Sequence, residues 1–244
     1  MLHILRAGDS PSFGQGPFRI RRIRPGAAMG PDQDPAFGPF SIMDHANLGV
    51  GTVVGMHEHR NDEILSYMWR GTMLHEDSTG QTTPISPRRL MMMNAGKSFW
   101  HEESTPDGPV EMLQIFIRPQ DADLPGEVQF HERPEEPLAG NWTLLAGPEG
   151  NGAPLVIRQE VAFHDVHLRA GDVIDVPQAA GRSQWLYVMD GEVALAGETL
   201  RKGDAATDGA ATLPPITAIK PTTLVLFLVD RQARATLAGT ISGR

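Results

Sequence analysis

Cysteine is missing from all 244 residues. A disulfide framework, a zinc–thiolate site and an iron–sulfur cluster are therefore excluded, and any metal must be held by His, Asp or Glu. Long apolar runs are missing as well. No stretch approaches membrane-spanning length, and the opening MLHILRAGDSPSFG lacks the apolar run of a secretion signal. Basic residues are in deficit: 21 Lys and Arg face 30 Asp and Glu, for a net charge of -9. An acidic average surface argues against direct nucleic-acid contact and against an anionic membrane. The one visible basic cluster, Arg19-Ile20-Arg21-Arg22-Ile23-Arg24, alternates with isoleucine as a strand with a charged outer face does. There is no Walker loop, no G-x-G-x-x-G turn and no G-x-S-x-G elbow. The expectation is a cytoplasmic protein without nucleic-acid or membrane partners.

Turn-forming residues, by contrast, are plentiful. With 26 Gly and 20 Pro the chain favours short strands joined by tight turns. Between residues 15 and 125 the β-rich segments include PFRIRRIRP, FGPFSIMDHA, VGTVVGMHEH, EILSYMWRGTMLHED, RRLMMMN and VEMLQIFIRP. Gln120 to Asn141, rich in Pro, Glu, Asp and Gly, reads as a linker with room for a short strand at Val128–Phe130. Beyond it come WTLLAG, APLVIRQEVAFHDVHL, SQWLYVMDGEVALAG and TLVLFLVD. Strands at this spacing predict an all-β barrel or sandwich in each half. Tyr67 and Gly71 recur as Tyr187 and Gly191 at a shift of 120, which points to an internal duplication. At that shift His57 becomes Pro177 and His59 becomes Ala179, so only the first copy keeps a polar site.

The polar site lies in GMHEHRNDEILSY, residues 55 to 67. Residues i and i+2 of a strand share a face, so His57 and His59 aim into one space. His101 and Glu103 repeat that spacing, with Glu102 turned away. An isolated His-x-His is more often a polar strand edge than a ligand pair. Two such pairs on neighbouring strands would present three imidazoles and a carboxylate, a donor set suited to iron, manganese, nickel, copper or zinc. Glu63 shares the parity of His57 and His59 and competes with Glu103 as the acidic ligand. His75 and His45 read as structural or supporting residues. His164 and His167, three apart, face opposite ways and form no site. Met91-Met92-Met93 reads as alternating core packing. Trp69, Phe99, Trp100 and Phe116 are core residues first and substrate contacts second.

These blocks resemble the pirin family of the cupin superfamily. FGPFSIMDH is similar to its first strand, and GMHEHRNDEILSYMWRGTMLHEDSTG to its hallmark stretch. NAGKSFWHEES is similar to its later His-x-Glu block. Where the family usually has Gly-Phe after the Arg, this chain has Asn61-Asp62, and Ser98 stands where the family tends to have Gly. The resemblance implies a bicupin, two face-to-face jelly-roll-like β-barrels joined by a short linker. It places the metal barrel in 1–125 and a degenerate, metal-free barrel in 126–244. It carries over His57, His59, His101 and Glu103 as ligands of one divalent metal, Fe(II) first, with Cu, Ni, Mn or Zn as alternatives. It implies a quercetin 2,3-dioxygenase-like oxidoreductase that opens the ring of a flavonol with dioxygen, Glu103 acting as general base. The alternative it implies is an iron redox-sensing regulator that works through a protein partner.

Overall fold

Strand alternation decides where each side chain of this protein goes. In Glu63–Arg70, Leu65 and Tyr67 enter a core shared by the two halves of the chain, while Ile64 and Met68 enter the interior of the first half. The methionine run splits in the same way: Met92 joins the shared core, and Met91 and Met93 face the other side. All three are fully buried, each worth roughly 1.5–3 kcal/mol in transfer free energy. The computed structural model describes residues 1–30, 34–134, 139–209 and 211–244. Among them are 22 strands and two short 3-10 turns.

Each half is a pair of sheets. The large sheet of the first half runs in the order Glu127–Glu132, Arg89–Asn94, Glu63–Arg70, Val110–Ile117, Phe40–Leu48, Phe18–Ile23 and Ser12–Phe13. Its small sheet is Val53–His59, Phe99–Ser104, Met73–Asp77 and Thr82–Ile85. The second half repeats the plan. Ser183–Asp190, Thr222–Val229 and Val161–Leu168 sit at the centre of a seven-stranded sheet opposed by a four-stranded one. Among the described residues no pairing joins large to small sheet, so the units are jelly-roll-like sandwiches rather than closed barrels. The two-unit, all-β arrangement stands. Segments also cross over between the units: His3–Leu5 pairs with Ala205–Thr207 of the second. Glu127–Glu132, inside the expected linker, pairs with Arg89–Asn94 of the first. Positions 135–138 of that linker lie outside the described residues.

The large sheets face each other. Phe40 stacks on Phe227 with centroids 4.0 Å apart and meets Trp185 edge-on at 5.2 Å; Tyr67 meets Phe163 at 5.3 Å. Aromatic pairs in such geometry add about 0.5–1.5 kcal/mol beyond area burial. Two buried tyrosines tie the halves reciprocally. Tyr67 donates its hydroxyl to Asp165 Oδ2 at 2.9 Å. The Tyr187 hydroxyl lies 2.6 Å from His45 Nδ1 and accepts from Arg21 at 2.6 Å. Tyr67 and Tyr187 are related by the 120-residue shift, and so are His45 and Asp165. Gly71 and Gly191 follow the same rule. Both have positive φ, and a Cβ at either would lie 2.3–2.4 Å from a proline carbonyl oxygen.

Candidate metal centre

The small sheet of the first half builds the site by register. Phe99–Ser104 is flanked by Val53–His59 on one side and Met73–Asp77 on the other. His57 stands directly opposite His101, and His75 directly opposite Glu103. Directly opposed residues on antiparallel strands share a face, so four imidazoles and a carboxylate converge between the two sheets. The candidate ligand atoms of His57, His59 and His101 lie within 4.8 Å of one another; those of His75, His101 and Glu103 form a second, overlapping set. His101 belongs to both. His59, His101 and Glu103 are buried, and His57 is only partly so.

Hydrogen-bond partners set the tautomers. His57 Nδ1 donates to the Gly55 carbonyl at 2.9 Å, and His59 Nδ1 lies 3.0 Å from the Asp62 carboxylate. Both rings therefore turn Nε2 lone pairs toward the centre, where the two nitrogens stand 3.0 Å apart. That contact is repulsive unless a cation, proton or metal, lies with them. His101 Nδ1 is 3.2 Å from His75 Nδ1, while His101 Nε2 is buried without a partner. Glu103 Oε2 accepts from Gln114 Nε2 at 3.3 Å, and Glu103 Oε1 is buried and unpaired. Burial, reinforced by the neighbouring imidazoles, pushes His101 down to about 2, and burial lowers His57 and His75 as well. Burial lifts Glu103 to about 7. Neutral imidazoles and an orphaned carboxyl oxygen fit a divalent cation, whose charge would hold the carboxyl ionised.

The competing residues go elsewhere. Glu63 binds Asn94 Nδ2 together with the backbone N–H and Nε of Arg158, across the interface, and joins neither set. The parity that linked it to His59 is broken at Asn61, where φ is 57° and the chain turns between strands. His45 sits between Tyr187 and Glu111 at the interface. His167 Nδ1 contacts Thr223, and His164, pushed down to about 4 by burial, has an unpaired Nδ1. Phe116 is buried beside His59 at 6.0 Å between ring centroids, whereas Trp100 is exposed. His75, read from the sequence as structural or supporting, stands in the second set. Its signal was the shared register with Glu103, which only pairing reveals.

Comparison with known proteins places the chain in a family. Residues 18–117 match the Pirin family model, and residues 144–229 match the quercetinase C-terminal cupin domain. A pirin-like protein of Caulobacter vibrioides is 30% identical over 234 residues, covering 84% of this chain and 81% of its own. The quercetin 2,3-dioxygenase of Escherichia coli K12 is 27% identical over 169 residues, 67% of this chain and 72% of that one. The Escherichia coli pirin YhhW, solved in complex with nickel(II), superposes with a TM-score of 0.81 at 19% identity, covering 94% of this chain and 99% of that one. Two matched domains and relatives spanning both show that the chain belongs to the pirin family of the cupin superfamily.

Proposed function

We propose that His57, His59, His101 and Glu103 hold one divalent transition metal, ferrous iron in the first instance, and that the centre is a dioxygenase for a small aromatic substrate of the flavonol class. The metal reading rests on the 3.0 Å approach of His57 Nε2 and His59 Nε2, beside the unpaired His101 Nε2 and Glu103 Oε1. The reaction class is supported by kinship with proteins named as quercetin dioxygenases. We place the working centre in residues 1–125 and treat 126–244 as a metal-free partner, since Pro177 and Ala179 stand where the first copy has His57 and His59.

A divalent ion supplies Lewis acidity toward an acidic hydroxyl. The chain's own residues do the rest. Gln114 holds Glu103 through Oε2, so Oε1 would face the ion and would have to leave it briefly to take the hydroxyl proton. His59 and His101, buried with Phe116 close by, exclude water on the inner side. His57, only partly buried, marks the side from which a substrate would enter.

The test is quercetin-dependent oxygen uptake by protein loaded anaerobically with ferrous iron, with metal content measured on the same sample. The expected result is about one metal per chain and uptake that vanishes in His57→Ala and His101→Ala together with the metal. His164→Ala should keep full occupancy; loss of metal there would sink the single-centre reading. Full loading without uptake would overturn the flavonol assignment, and background metal would overturn the centre itself.

A further inference from the structure

Asp62, which lies behind His59, has surroundings unusual for a carboxylate. It is fully buried. Among the described residues no Arg or Lys pairs with it, and its one titratable neighbour is His59. Every other partner comes from the strap Gly239–Ser242, far along the chain. Oδ1 accepts from the Ser242 backbone N–H at 2.9 Å and from Ser242 Oγ at 2.7 Å, and the Ile241 N–H lies 3.2 Å from both oxygens. The strap is itself held. Thr240 exchanges hydrogen bonds with the Arg60 backbone, Ser41 Oγ donates to the Ser242 carbonyl, and Ile241 packs on Ile42, Ile64, Met93 and Phe116. At Gly239 a Cβ would lie 2.0 Å from Ser242 Oγ and 2.5 Å from Asp62 Oδ1, so a side chain there would push those two groups aside.

A buried carboxylate costs several kcal/mol unless donors and a positive charge offset it. Here neutral donors supply the hydrogen bonds, and the positive charge can reach Asp62 only through the His59 ring. We infer that Asp62 is a positioning residue for the metal centre. It holds His59 in the tautomer that presents Nε2, and the strap Gly239–Ser242 holds Asp62, so metal binding and strap docking are thermodynamically coupled. This rests on the proposed metal centre. A carboxylate behind a ligating imidazole raises its basicity, and losing such a partner typically costs about 10–100-fold in metal affinity. Coupling is reciprocal, so the metal must steady the strap as much as the strap favours the metal.

The experiment is cobalt(II) titration of the full chain against a competing chelator, with visible spectra and backbone hydrogen exchange on the same samples. For Asp62→Asn the expected result is affinity lower by about 10–100-fold and shifted cobalt bands. For Ser242→Ala, a mild change that removes one donor, the expected loss is several-fold in the same direction. In wild-type protein, cobalt should slow exchange at Ile241 and Ser242. Wild-type affinity and bands in Asp62→Asn would overturn the inference and leave Asp62 as a strap anchor only. If Asp62→Asn does not fold, unchanged affinity in Ser242→Ala together with unchanged strap exchange overturns it equally. Wild-type protein that takes up no cobalt would overturn the metal centre first, and this coupling with it.

Discussion

Glu103 shows how a site can be assembled against the interest of the fold. Its carboxyl has an ordinary value of 4.5, and burial raises it to about 7 in the folded chain. The folded state thus binds the proton more tightly than the unfolded one. The stability this contributes is complete below pH 4.5 and is lost as pH rises through about 7. Metal-free Glu103→Gln should therefore melt higher than metal-free wild type at pH 8, by on the order of a few degrees, and no higher at pH 4. A calorimetric scan at both values checks this. An equal gain at the two pH values would assign the effect to packing instead. Adding metal should reverse the order at pH 8, because only the carboxylate repays the ion. At this scale the His-x-His and His-x-Glu pairs were legible, since i and i+2 on a strand share a face whatever surrounds them. Asp62 was not. Its partner Ser242 lies 180 residues away, and nothing local marks an aspartate as the seat of a strap.

Among the elements, the interface tyrosines are the sharpest case. Removing the Tyr67 hydroxyl leaves Asp165 still held by Arg133 at 2.8 and 3.0 Å, so Tyr67→Phe should cost about 1 kcal/mol. Removing the Tyr187 hydroxyl takes a partner from both Arg21 and His45, so Tyr187→Phe should cost more, about 2 kcal/mol. Urea unfolding of the metal-free variants measures the difference; equal costs would mean that the two ties are not ranked by what they leave behind. The long central strands were readable because alternation over eight or nine residues leaves a signature. Thr82–Ile85, Glu198–Arg201 and His3–Leu5 were not, because three or four residues at a sheet edge carry no period. Glu127–Glu132 was half hidden for another reason: its charged ends and proline-rich flanks look like a connection, and pairing to Arg89–Asn94 supplies what its own pattern lacks.

On the scale of the whole molecule, the two sandwiches repeat a plan with different residues at the site positions. The 120-residue shift maps tyrosine onto tyrosine and glycine onto glycine, yet it maps His57 and His59 onto Pro177 and Ala179. What the copies share builds the face between them, and what they do not share is the histidine pair. The repeat therefore makes a statement about mutational tolerance. A library covering every position, sorted first for soluble protein and then for bound metal, should give two maps drawn on one scaffold. Positions 67 and 187 should be intolerant in both sorts. Positions 57 and 59 should pass the first and fail the second, and positions 177 and 179 should pass both. Any position within the strands of the second sandwich that behaves like 57 in the metal sort would mark a route by which that copy acts on the proposed centre.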